Sequence, residues 1–284
     1  YLIVCQLFAL TSHQPVSPDF SLRGFFQRGG KTGDHSDGWG LALFRDGQLE
    51  LQTHISAAHS CRRATELLQT KPRATTVVAH IRKATVGDVS PQNSHPFTRT
   101  LWGETWAFAH NGDLKDFHPG TSVDYLPKGQ TDSELAFCHI FSRLASTFET
   151  KPPVHVLAEF LYSLSAEISR HGTFNYLLSN GTLLIAHCST ELYWAHRSFP
   201  FGKVELLDLD MSIDLGEFNS EDESMFVVAT KPLTRGEAWC PMGRGELRVF
   251  EGGRMVHVLP PTPVCNRQPI DWNSAWASHH VVIS

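Results

Sequence analysis

The chain has 284 residues, 41% of them hydrophobic and 19% charged, with a formal net charge of −5. That is ample apolar material for a core, and the slight acidity, with no cluster of Lys and Arg, argues against nucleic acid as a partner. No apolar stretch reaches the ~18 residues that would cross a bilayer, and the opening YLIV is too short for a signal sequence, so a cytoplasmic protein with no membrane partner is expected.

The opening YLIVCQLFAL is apolar apart from one thiol and one amide, and taken alone it makes Cys5 a small hydrophobe in a buried strand. From Gly38, GWGLALFRDGQLELQTH reads as two strands around the Asp46-Gly47 turn. A short helix is expected around Arg63 to Gln69, and TTVVAHIR and TWAFAHN then supply strands. Two segments have helical period. TDSELAFCHIFSRLAST aligns Phe137, Phe141 and Leu144, with Thr131 and Glu134 as a capping box. PPVHVLAEFLYSLSAEISRHG aligns Val154, Leu157, Leu161, Leu164 and Ile168, opened by Pro152 and Pro153 and stopped by an αL Gly172. Hairpins return with TFNYLLSNGTLLIAHCST on Asn180-Gly181 and GELRVFEGGRMVHVL on Gly252-Gly253, and ELYWAHR and SMFVVAT add strands between them. The pattern predicts an α+β protein in which helices pack outside antiparallel sheets. A single domain is expected over 5–258. The Pro-rich stretch 259–284, with Trp272 and Trp276, reads as a tail that packs on the domain or at a contact between chains.

The six cysteines are widely and irregularly spaced, and the chain contains no C-x-x-C, H-E-x-x-H, P-loop or G-x-S-x-G motif. None of its sixteen histidines stands at ligand spacing, so neither a metal nor a cofactor is predicted. Polar chemistry collects instead in AHIRKAT, FAHNGDL and GQTDSE, at or beside the ends of apolar runs. Arg82 at a strand end suits a bidentate grip on a carboxylate, or simply reaches water. Asn111-Gly112 is a ready hairpin turn, or a pair of donors aimed at an oxyanion. Asp132 in a first helical turn is favoured by the helix dipole whatever else it does.

A cysteine near the start followed by AHIRKAT, HNGDL and GQTDSE, in that order and spacing, resembles the glutaminase domain of class II glutamine amidotransferases, which are N-terminal nucleophile hydrolases. QRGGKTGDHSDGWG, NSHPFTR and FNYLLSNG are similar to the small stand-alone YafJ-type group, whose relatives include hydrolases of γ-glutamyl compounds. The resemblance covers about Cys5 to about Phe250. It implies a four-layer αββα sandwich, with Cys5 as nucleophile and Asn111 and Gly112 as the oxyanion hole. It further implies Arg82 on the substrate α-carboxylate, Asp132 on its α-ammonium and Thr85 beside the substrate. Arg28 and His95 are expected to support the site, and Asp37 to act as scaffolding. His80 and His110 are expected to be structural histidines and Cys138 to be packing.

The resemblance also implies that the α-amine of a terminal cysteine is the base, whereas here Tyr1 to Val4 precede Cys5. A leader removed by processing, residues foreign to the natural start, and a true loss of the catalytic terminus would each account for them. The first two are favoured, because Arg82, Asn111, Gly112 and Asp132 would serve little purpose together without a glutamyl ligand. The expected activity is hydrolysis of glutamine or a related γ-glutamyl amide, which either supplies ammonia to an acceptor protein or acts alone on γ-glutamyl peptides and thiols. A non-catalytic glutamyl-binding module is the alternative if Cys5 is not terminal.

Overall fold

A computed structural model describes residues 5–85, 87–120 and 122–260. In chain order, β1 (Gln6–Val16) leads into α1 (Asp19–Gln27), the hairpin β2 (Trp39–Arg45) and β3 (Gln48–His54), α2 (Arg62–Gln69) and β4 (Ala74–Ile81). Next come β5 (Phe97–Leu101), β6 (Glu104–Leu114), α3 (Asp132–Thr147) and α4 (Val154–Ile168). The remaining strands are β7 (Gly172–Ser179), β8 (Leu183–Cys188), β9 (Tyr193–Ser198), β10 (Lys203–Leu206), β11 (Ser212–Asp214), β12 (Ser224–Ala229), β13 (Thr234–Arg235), β14 (Trp239–Pro241), β15 (Glu246–Glu251) and β16 (Arg254–Leu259). The tail expected after Leu259 lies, from residue 261 on, outside the described residues.

Two antiparallel sheets carry the fold, one in the order β14-β9-β12-β1-β4-β2-β3 and the other β16-β15-β8-β7-β6-β5. Alternation along each strand sends side chains to two different layers. Phe8 and Leu10 of β1 pack outward with Leu22, Phe25 and Phe26 of α1 and Leu67 and Leu68 of α2. Leu7 and Ala9 face inward and meet Ala107, Ala109, Leu177 and Ala186 of the other sheet. On the far side Phe108, Phe174 and Tyr176 pack under Phe137, Phe141, Leu157 and Leu161 of α3 and α4. The result is the α+β sandwich with helices outside two sheets. Alanine recurs in the layer between the sheets, where short side chains let the two backbones approach.

The turn chemistry explains the hairpins. Asp46 and Gly47 take φ of 52° and 73°, and Gly252 and Gly253 take 52° and 70°, the doubly positive pattern of a two-residue turn that matches strand twist. Trp102 and Gly103 (55° and 76°) make an unanticipated third such turn, between β5 and β6. Asn111-Gly112 is not a turn: β6 runs through it, pairing Asn111 with Asn175 and Gly112 with Phe174 of β7. A side chain at Gly112 would run into the Thr173 carbonyl, so the close pairing of these strands requires glycine.

Two expectations about elements are corrected. Thr131 caps α3 by accepting from the Glu134 N–H at 3.1 Å, but the Glu134 carboxylate does not complete a capping box. It is drawn instead to Arg99 and to the Gly129 N–H, both at 2.6 Å. Gly172 does not stop α4 in an αL conformation; a 3-10 turn over Ser169–His171 intervenes, and Gly172 opens β7 at φ 152°. Helix α1 and the small third sheet β11-β10-β13 were not anticipated.

Candidate functional site

Cys5 directly precedes β1 and Arg82 directly follows β4, and because Gln6 pairs with Ile81, the antiparallel ladder sets the two side by side. Cys5 keeps step with the inward-facing Leu7 and Ala9, as Arg82 does with Val78 and Asn111 with Ala107 and Ala109. All three therefore reach the same end of the gap between the sheets. The Cys5 thiol is buried, with Sγ 3.3 Å from both the N–H and the carbonyl of Lys83. Burial pushes it up to about 11, the Lys83 N–H and the Arg82 charge pull it back, and the Asp132 charge raises it further. Opposite charges thus act on one sulfur. Among the described residues, no imidazole is hydrogen-bonded to it.

Arg82 is buried, which lowers its pKa, while Cys5, Asp37 and Asp88 favour its charge. Its guanidinium donates to the Asp88 carbonyl at 3.0 Å and the Gly87 carbonyl at 3.1 Å. Asp37 braces this strand end by accepting from the Ala84 N–H at 2.8 Å, and the Arg82 N–H donates to the Gly38 carbonyl at 2.8 Å. Asp132, the first residue of α3, accepts from the Leu114 N–H at 2.7 Å, two residues beyond Gly112. Thr85 is exposed in the segment after β4.

Asn111 is buried, and its side-chain amide donates to the Cys5 carbonyl and, at 3.3 Å, to the Thr230 hydroxyl. Two partners escaped the sequence reading. Thr230, just past β12, accepts the Leu7 N–H at 2.9 Å and so fixes the start of β1. Asn175, buried in β7, donates to the Asn111 carbonyl at 3.2 Å and accepts from the N–H groups of Ser189 and Thr190. A lone polar residue ending SMFVVAT, and an Asn inside the apolar FNYLL, were the available signals.

The remaining expected residues lie around this centre. Arg28, at the end of α1, pairs with Asp208 at 2.8 Å and donates to the Lys231 and Pro232 carbonyls, with Gln6 Oε1 at 3.5 Å. It joins the segment before β13 to the strand that follows Cys5. His80 donates from Nε2 to the His110 carbonyl at 3.1 Å, and burial drives its pKa down to about 3. His110 donates from Nε2 to the Thr173 carbonyl at 3.0 Å, so its neutral ring accepts the Ser133 hydroxyl at Nδ1, 2.8 Å away. The His95 ring lies tilted between those of His80 (4.1 Å) and Phe97 (4.4 Å), and neither of its nitrogens has a hydrogen-bond partner. Cys138 lies on the buried face of α3, with Arg99 at 3.5 Å from its sulfur. Among the described residues no group of His, Cys, Asp and Glu is arranged to hold a metal ion, and no helix is long and apolar enough to cross a membrane.

Known proteins are similar to this chain in sequence and fold. The model of the family described as "Glutamine amidotransferases class-II" matches residues 4–273. The Escherichia coli protein named "Putative glutamine amidotransferase YafJ" is 39% identical over 264 residues, spanning 89% of this chain and all of that one. A Haemophilus influenzae protein named "Putative glutamine amidotransferase" is 38% identical over 261 residues, 92% of this chain and 89% of its own. Among solved structures, the one titled "predicted glutamine amidotransferase" from Pseudomonas aeruginosa superposes with a TM-score of 0.71 at 35% identity, covering 89% of this chain and all of that one. The glutamine phosphoribosylpyrophosphate amidotransferase of B. subtilis has a TM-score of 0.57 at 16% identity over 90% of this chain and 49% of its own, a likeness of fold alone.

Proposed function

The chain belongs to the class II glutamine amidotransferases, a family that acts on the amide of glutamine, and from that premise we propose that it hydrolyses the γ-carboxamide of glutamine or a related γ-glutamyl amide through Cys5. The observation that carries this reading is the meeting of one buried thiol with a cation, Arg82, and an anion, Asp132, at one end of the gap between the two sheets. An α-amino acid offers the complementary pair. Arg82 binds its carboxylate, Asp132 binds its ammonium, and the side-chain amide lies toward Sγ.

A thiol at about 11 is ionised in only about one molecule in ten thousand at pH 7, so the reaction needs a base within reach. Among the described residues no imidazole is bonded to Sγ, and the group best suited is the α-amine that Cys5 carries in a chain beginning at that residue, whose ordinary pKa of ~8 matches the task. It takes the thiol proton as sulfur attacks the amide carbon. The tetrahedral oxyanion is held by the Asn111 amide and the Gly112 N–H. The amine then returns the proton to the departing nitrogen, the C–N bond breaks, and ammonia leaves a γ-glutamyl thioester. Water attacks that thioester, giving glutamate and restoring the thiol.

The test compares three proteins for release of ammonia and glutamate from L-glutamine: the full chain, a chain that begins at Cys5, and the same shortened chain carrying Cys5→Ala. Turnover is expected from the chain that begins at Cys5, and none above background from Cys5→Ala. Equal turnover by Cys5→Ala would overturn the reading. Binding of glutamate without turnover in any form would leave a glutamyl-binding module in its place. A panel of γ-glutamyl peptides and thiols then separates a free-standing hydrolase from an enzyme that passes ammonia to an acceptor protein.

A further inference from the structure

Asn93 closes the 3-10 turn Pro91–Asn93 and is 2% exposed, yet its neighbours Asp88 and Gln130 are exposed loop residues. Its carboxamide is used at both ends. Nδ2 donates to the Asp88 carbonyl at 3.0 Å, and Oδ1 accepts the Gln130 N–H at 2.8 Å. Asp88 presents the same carbonyl to the Arg82 guanidinium, and Gln130 stands two residues before Asp132. A single side chain therefore bridges the backbone that seats Arg82 to the backbone that delivers Asp132. Glycines wall the bridge on either side: a Cβ at Gly87 would lie 2.9 Å from Asn93 Nδ2, and one at Gly129 would press on Oδ1.

Resting on the glutamyl reading of the site, we propose that Asn93 is a positioning residue: it fixes the separation of Arg82 and Asp132 and thereby selects substrates that carry an α-carboxylate and an α-ammonium together. A two-point grip on one small headgroup is sensitive to spacing, since a displacement of about 1 Å in a bound group can cost on the order of 100-fold in rate. Asn93 touches neither charge and no reacting atom. It acts through Asp88 and Gln130, whose exposure lets water replace the lost hydrogen bonds, so Asn93→Ala is expected to fold.

The experiment measures kcat and KM for L-glutamine, for glutaramate, which lacks the ammonium, and for 4-aminobutanamide, which lacks the carboxylate. The chain is one that begins at Cys5, and active sites are counted by thiol titration. Asn93→Ala is expected to raise KM for L-glutamine about tenfold with kcat changed less than about threefold, and to shrink the preference in kcat/KM for L-glutamine over both analogues about tenfold. Asn93→Asp keeps the acceptor for Gln130 and loses the donor to Asp88. It is expected to lose preference over 4-aminobutanamide, on the Arg82 side, while keeping preference over glutaramate, on the Asp132 side. Fewer active sites with unchanged preferences in both variants would overturn the proposal and leave Asn93 a packing residue. A parent chain with no preference for L-glutamine over either analogue would overturn the glutamyl reading and this inference with it. A parent with the preference and variants that retain it would overturn this inference alone.

Discussion

At the scale of single residues, the site is held by side chains that each make two commitments. Asn111 donates to the Cys5 carbonyl and to Thr230, so its amide already stands beside Cys5 and within the packed gap. Removing one preorganised oxyanion donor costs on the order of 100-fold or more in turnover, and Asn111→Ala is expected to lose that much kcat with KM within about threefold. A variant that keeps wild-type kcat would remove Asn111 from the oxyanion hole. Arg82 spreads two nitrogens over two carbonyls, a geometry that needs a planar fork. Arg82→Lys keeps the charge and loses the fork, and it should raise KM for L-glutamine by about tenfold while kcat falls far less. Steady-state kinetics on glutamine decide this, and a variant with unchanged KM would place the substrate carboxylate elsewhere.

At the scale of elements, α3 delivers Asp132 in its first turn, and the Thr131 hydroxyl holds that turn through the Glu134 N–H. Thr131→Ala should lower unfolding stability by ~1 kcal/mol in urea, the usual cost of an N-cap lost to alanine, and an unchanged midpoint would show that the Thr131 hydroxyl contributes nothing to the cap. This cap was legible in the sequence because it is local, as were the Asp46-Gly47 and Gly252-Gly253 hairpins, where the turn residues state their own backbone angles. Other features were hidden because their causes lie far along the chain. Helix α1 carries Gly24 in its interior, which discourages a helical reading, but a Cβ there would press on Leu206 of β10, so the helix accepts glycine to let the small sheet approach. The capping box failed for the same reason: Arg99, 35 residues away, takes the Glu134 carboxylate. Order and spacing of motifs singled out Cys5, Arg82, Asn111 and Asp132, whereas Thr230, Asn175 and Asn93 make their contacts with residues far along the chain.

At the scale of the whole molecule, the burial of ionisable groups sets a pH window for stability. Burial holds His80 at about 3 and His187 at about 4, both far below the ordinary 6.5, and it lowers His95 and His110 as well. A histidine depressed in the folded state costs nothing above pH 6.5, where both states are neutral. Below 6.5 the unfolded chain binds the proton that the folded chain refuses, so stability falls as pH drops from 6.5 toward the folded values. At pH 5 the gap is about 1.5 pH units, or ~2 kcal/mol for each such histidine, and His80 and His187 together should remove ~4 kcal/mol between pH 7.5 and pH 5. On the alkaline side the cause is reversed: burial lifts Cys5 to about 11 and Cys188 to about 12 from 9.0, so the unfolded chain releases a proton first and stability declines above pH 9. Urea unfolding across this range should therefore trace a plateau between about pH 6.5 and 9 with a fall on each side. His187 donates from its ring to the Phe174 carbonyl at 2.7 Å, a bond a neutral amide can imitate, so His187→Asn should reduce the acid slope by the share of one histidine. A wild-type curve that stays flat from pH 6.5 to 4.5 would mean that these buried rings find protons and water in the folded state.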